Sequence, residues 1–161
     1  MTVQLLLQHE VEQYLYEEAA LLDSAAWQQW LSLFTEDMLY WIPVKWDGMG
    51  DPELQVHIVY DDHERLSDRI ERLLRSDAYA QIPQSNTCHL ISNVRVGEME
   101  GDELQVAYQL QVTEIRRSKT TIYAGLVEQR LRRVNAAWRI RSKTIKLINS
   151  KEYLGNLSFM L

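Results

Sequence analysis

A single cysteine in 161 residues, Cys88, cannot close an internal disulfide, and by itself it cannot build a thiolate zinc or iron-sulfur site. Long hydrophobic runs are also missing, which excludes a helical membrane span. The opening MTVQLLLQHEVEQ has no basic stretch before its leucines and meets acid at once, unlike a secretory leader. A soluble, cytoplasmic protein is the expectation. No glycine-rich phosphate loop is present, because DGMGD lacks the lysine and the strand-to-helix setting that such a loop requires. There is no G-x-S-x-G elbow and no internal repeat. The four histidines, His9, His57, His63 and His89, have no histidine partner four residues on, so the two-histidine helical metal motif is absent.

What remains is the composition of an ordinary globular domain, 46% hydrophobic and 25% charged, and the length suits one domain spanning 1–161. Charge is unevenly placed. Residues 1–80 hold 16 acids and 5 bases, whereas residues 81–161 hold 7 acids and 12 bases. The bases of the second half alternate with apolar residues in LVEQRLRR and WRIRSKTIKL and are not gathered with aromatics, which argues against a nucleic-acid face. Complementary contact between the two halves, or between subunits, is the simpler meaning.

The first half has helical periodicity. In EVEQYLYEEAALLD, the set Val11, Tyr14, Leu15, Glu18, Leu21 and Leu22 recurs at three and four. Either Asp23 or Ser24 is expected to cap a second helix, SAAWQQWLSLF, with Trp27, Trp30, Leu31 and Phe34 on one face. MLYWIPV is predicted as an edge or terminal strand, because Pro43 cannot donate to a ladder. A loop over 46–53 and a short strand, LQVHIVY, follow. After AYAQIPQSN, from residue 87 onward, the period becomes two. Leu104, Val106, Tyr108, Leu110 and Val112 are predicted to face one way, and two further long strands are joined around Asn135. Helices first and a meander afterwards indicate an α+β fold, with the amino-terminal helices covering the concave face of a curved sheet.

The stretch YDDHERLSDRIERLL sets Asp61, Asp62, His63 and Glu64 side by side. Consecutive residues on a helix diverge by about 100° each, so these groups suit a helix entrance better than a metal site. The buried stripe of that helix is predicted as Leu66, Ile70, Leu73 and Leu74. His89 is expected to be hydrogen-bonded within a central strand, and Cys88 to be a small buried residue.

Taken in order, EEAALLDSAAWQQWLSLFTEDMLYWIPV, YDDHERLSDRIERLL, QIPQSNTCHLISNVRV and NLSFML resemble the small (beta) subunit of bacterial aromatic-ring-hydroxylating dioxygenases of the Rieske non-haem iron type. The resemblance implies a nuclear transport factor 2-like (cystatin-like) cone. It also implies a hexamer of three large and three small subunits. The large subunit carries the Rieske iron-sulfur cluster and the mononuclear iron, and it receives electrons from NADH through reductase or ferredoxin partners. The small subunit is chiefly structural and is expected to be inactive alone. Catalytic, cofactor-binding and metal residues are accordingly expected to be none in this chain, and no nucleic-acid or membrane partner is expected. The donor count agrees, since a Rieske cluster takes two cysteines and two histidines. The alternative is a stand-alone dehydratase or isomerase of the same fold, with Asp23, Tyr40 and His89 as acid-base groups in its own pocket and the tryptophans as a lipophilic wall. A binding module without chemistry is a third class. The apolar ending LGNLSFML must fold back or be buried in a partner.

Overall fold

The computed structural model describes residues 2–45, 51, 53, 55–75, 83–150, 157 and 159–161. Helix α1 (Val3–Asp23) starts where the Thr2 hydroxyl accepts from the backbone N–H of Leu5. That is earlier than the pattern read from Glu10 predicts, because the first turns carry Val3, Leu5 and Leu6 exposed and so show no buried stripe. From Val11 onward the stripe appears as expected, with Val11, Leu15, Glu18, Ala19 and Leu22 buried.

Helix α2 (Trp27–Leu31) is shorter than predicted. Phe34 begins strand β1 (Phe34–Pro43) instead, drawn into the sheet by a 2.7 Å bond from Ile140 N–H to the Leu33 carbonyl. Trp27, Trp30, Leu31 and Phe34 are nevertheless all buried. Strand β2 (His57–Asp61) leads into helix α3 (His63–Leu74), and the loop predicted over 46–53 lies almost wholly outside the described residues. Four long strands complete the chain: β3 (Asn86–Glu100), β4 (Glu103–Arg116), β5 (Lys119–Val134) and β6 (Ala137–Leu147). The sheet order is β2-β1-β6-β5-β4-β3, antiparallel throughout except for the parallel pairing of β1 with β6. Helices packed on this mostly antiparallel sheet form the expected α+β cone.

Two strand expectations are corrected. β1 is interior, flanked by β2 and β6; Pro43 is tolerated because it is the last residue, where the register with β2 already breaks. β3 is an edge strand and not a central one. Its free side is covered by α1: Gln8 Nε2 donates to the Val94 carbonyl at 3.0 Å, and the Asp23 carboxylate accepts from His89 N–H at 3.1 Å. Cys88 is exposed, contrary to expectation, because His89 points inward and the period of two sends its neighbour out.

The predicted inward row of β4 is buried at all five positions. Part of the charge imbalance between the halves is met within the domain. Asp37 binds Arg132 and Arg141 at 3.0 and 3.1 Å, Glu10 binds Arg133 at 2.7 Å, and Glu18 binds Lys143 at 2.7 Å. The apolar ending also folds back, with Phe159, Met160 and Leu161 buried.

At Gly125 on β5, an added Cβ would lie 2.2 Å from the Lys146 carbonyl oxygen and 2.8 Å from the Leu147 Cα. Both contacts are backbone, so neither can rotate away. Gly125→Ala is expected to destabilise the fold by at least about 2 kcal/mol, measured as a lower urea midpoint with an unchanged slope.

Candidate functional site

The chemistry-bearing interior is a row of side chains across the concave face. Tyr40 of β1 stands in register with Lys143 of β6, and Lys143 with Gln129 of β5. Lys143 faces inward because of a bulge. Leu131 pairs with Ile140 and Arg130 with Ser142, so Arg141 is left unpaired and the phase of β6 inverts. Trp138 and Ile140 lie inward before it, and Lys143, Ile145 and Leu147 after it. A cation is thereby delivered beneath α1.

There it meets Glu18, the acid on the buried stripe of that helix. Glu18 Oε1 accepts from Lys143 Nζ at 2.7 Å and from Trp30 Nε1 at 3.2 Å; Oε2 accepts from Gln129 Nε2 at 2.9 Å. Gln129 also donates to the Tyr108 hydroxyl at 2.9 Å. The two charged side chains are only 1% and 2% exposed. Burial alone would raise the Glu18 pKa, but the Lys143 charge and hydrogen bond, with those of Gln129 and Trp30, outweigh it and hold the carboxyl below its ordinary value. Sequence reasoning placed Glu18 on the apolar stripe but missed Lys143 and Gln129. The signal for Lys143 is the change of phase in WRIRSKTIKL, where inward apolar positions are even up to Ile140 and odd from Ile145, and that for Gln129 is its place between Val127 and Leu131 in the alternation of β5.

Of the three acid-base candidates, the fold joins two. Asp23 accepts from the Thr87 hydroxyl at 3.0 Å, from His89 N–H and from His89 Nδ1, the last at 2.5 Å. Burial first of all, with the nearby Lys143 charge, lowers the His89 pKa despite Asp23. The contact is therefore a neutral imidazole donating from Nδ1–H, and Nε2 is left buried without a partner. Tyr40 does not join them. Its hydroxyl donates to the Leu161 carbonyl at 3.3 Å and accepts from Leu161 N–H at 3.1 Å. A cleft of about 440 Å³ bordered by Arg95, Glu128 and Arg130 contains none of the three.

The acidic cluster resolves as a helix entrance. Asp62 is the cap, accepting from Arg65 N–H at 2.9 Å, while Asp61 ends β2 and makes a two-point contact with Arg69 at 2.7 and 3.0 Å. Leu66 and Ile70 are buried as predicted, Leu73 is half-buried, and Leu74 is exposed because the helix ends there. His57 Nδ1 accepts from Trp41 Nε1 at 2.8 Å. Among the described residues no three histidine, cysteine or carboxylate side chains converge as metal ligands. The donors described do not fit either iron centre, because Cys88 is the chain's one thiol and, among the described residues, no two histidines converge with a carboxylate.

Lys143→Met leaves a buried carboxylate without its cation and is expected to cost about 3–5 kcal/mol, with most of the loss recovered when Glu18→Leu is added; a double-mutant cycle by urea denaturation measures both. Because the Glu18 pKa is depressed, its contribution is present above the ordinary value of 4.5 and is lost as pH falls through the lower folded value. His89, depressed from 6.5, likewise loses stability as pH falls below 6.5, since the unfolded chain takes the proton first. His89→Gln is expected to flatten the stability profile just below pH 6.5 and to leave the part below pH 4.5 in place.

Comparison with known proteins agrees with this geometry. A family model described as "Ring hydroxylating beta subunit" matches residues 17–151. The small oxygenase component of the p-cumate 2,3-dioxygenase system of Pseudomonas putida is 36% identical over 83% of this chain and 75% of its own. The benzene 1,2-dioxygenase beta subunit of Pseudomonas putida F1 is 32% identical over 95% of this chain and 88% of its own. The crystal structure of the benzoate 1,2-dioxygenase beta subunit of Burkholderia mallei superposes with a TM-score of 0.78 at 27% identity, covering 94% of this chain and 96% of that one. With the cone, the ordered motifs and these matches in agreement, the chain belongs to the beta subunit family of aromatic-ring-hydroxylating dioxygenases.

Proposed function

We propose that this chain, as one domain over 1–161, is the structural small subunit that scaffolds an iron-bearing large subunit adding O2 to an aromatic ring in catabolism. The observation that carries this reading is how the interior polar groups are used. Glu18 is engaged by Lys143, the Tyr40 hydroxyl by the Leu161 backbone and the His89 Nδ1 by Asp23, so each of these groups is held by a partner within the chain. The matching relatives are named as components of dioxygenases for p-cumate, benzene and benzoate, which supports an aromatic substrate for the assembly. Catalytic, cofactor and metal ligands are assigned to the large subunit. A hexamer of three large and three small subunits in the cytoplasm, supplied with electrons from NADH by a reductase or ferredoxin, completes the proposal.

The Asp23 and His89 dyad favours a second reading as a dehydratase or isomerase, since an oriented neutral imidazole with a buried free Nε2 has the form of a general base. The absence of Tyr40 from that dyad weakens it.

Both readings are tested by reconstitution. The isolated chain is expected to bind no stoichiometric iron and to oxidise no aromatic ring, whereas co-expression with the large subunit yields a complex that does both. A complex assembled with His89→Ala is expected to hydroxylate at the parent rate per iron. Tight iron in the isolated chain, or turnover by it that His89→Ala abolishes, would overturn the scaffold reading.

A further inference from the structure

Asp23, the last residue of α1, ties that helix to the free side of the edge strand β3. Its carboxylate takes three donors from two residues of that strand: the Thr87 hydroxyl at 3.0 Å, the His89 backbone N–H at 3.1 Å and His89 Nδ1–H at 2.5 Å. The Asp23 side chain is 30% exposed, whereas that of His89 is 1% exposed, so the ring runs from the surface into the interior. At its inner end Nε2 is buried and has no hydrogen-bond partner. A second proton placed there would be a donor without an acceptor, and its charge would lie in the field of the Lys143 ammonium of β6. Two acids of α1 oppose that field, Asp23 and Glu18, but Glu18 is already engaged by Lys143 at 2.7 Å. Across on β4 the residue in register is the uncharged Val112, and Tyr123, next along that row on β5, has its pKa pushed up to about 12 by burial and stays neutral. Desolvation is the largest of these effects, and it holds the His89 pKa below its ordinary value.

We propose that His89 is an acid-released latch: on taking a second proton its ring leaves the interior, the Asp23 contacts break, and the end of α1 separates from β3 while the remaining strands stay paired. Opening uncovers the His89 N–H on the free side of β3, so acid makes that edge available to an added strand. The inference is independent of the scaffold reading, because it concerns one helix and one strand of this chain. The latch is fully closed above 6.5, and opening becomes easier as pH falls from there towards the lower folded value.

The test is hydrogen exchange on the full chain across this range, with the intrinsic pH dependence of exchange divided out. The His89 amide is expected to open up to about tenfold more often per pH unit below 6.5, while Val127 on the interior strand β5 keeps its protection. His89→Gln retains a side-chain donor for Asp23 but takes no proton, and exchange at position 89 is then expected to be independent of pH. Should that variant not fold, titration of the His89 ring in the parent protein by NMR decides, with a midpoint below 6.5 expected. Exchange at His89 that ignores pH, an equal loss of protection at Val127, an undiminished pH response in His89→Gln, or a ring midpoint above 6.5 would each overturn the proposal.

Discussion

Glu18 and Lys143 carry opposite charges into a place where neither can meet water, and the rest of the structure is arranged around that constraint. Two ions removed from solvent are tolerated when their geometry is close and their remaining lone pairs are taken. Both conditions hold here, with Trp30 and Gln129 filling the other acceptor sites of the carboxylate. The arrangement ties four elements together: α1 through Glu18, α2 through Trp30, β5 through Gln129 and β6 through Lys143. A rotation of α1 or a slip of β6 by one residue would strand a charge. The pair therefore defines the register of helix on sheet more sharply than apolar contact could, since apolar side chains accept small slips and a buried ion does not.

The same logic explains how the chain handles its other hazards. A long edge strand such as β3 would offer free backbone groups to a passing chain, and α1 covers it with Gln8 and Asp23. The unequal charge of the two halves becomes a set of contacts between α1 or β1 and the last two strands. Asp37 meets two arginines, so part of this complementarity is used within the domain. The outward faces of β3 to β5 still expose Leu90, Ile115 and Ile122, which accords with a protein made to be part of an assembly.

Several parts of this fold were legible from residue order. The alternation of β4 predicts every inward position, the periodicity of α1 predicts its buried residues except Ala19, with Tyr14 and Leu21 at the half-buried margin, and the acidic cluster reads as a helix entrance. The errors share a cause. Pro43 suggested an edge and Cys88 suggested the core, because each was judged by what the residue type prefers and not by its place in the ladder. His89 was expected in a central strand for the same reason: length and apolar content do not tell an edge from an interior position when a helix shields the edge. Lys143 and Gln129 are hard to foresee because a cation and an amide in a strand are ordinarily solvent-facing; one unpaired residue, Arg141, turns Lys143 inward, while Gln129 lies inward on the unbroken alternation of β5.

By itself the order of residues determined the α+β class, the long meander and the kinship with small dioxygenase subunits, since these follow from periodicity and from motifs near in the chain. It also determined that one thiol cannot ligate a Rieske cluster. Tertiary structure alone decided which polar groups find each other: Asp23 with His89, Tyr40 with Leu161, Glu18 with Lys143. Those partners lie far apart in the chain, and whether they meet depends on the tertiary arrangement and, for Lys143, on a single bulge. A local pattern carries no information about strand order, and it marks the bulge only through the change of phase in WRIRSKTIKL.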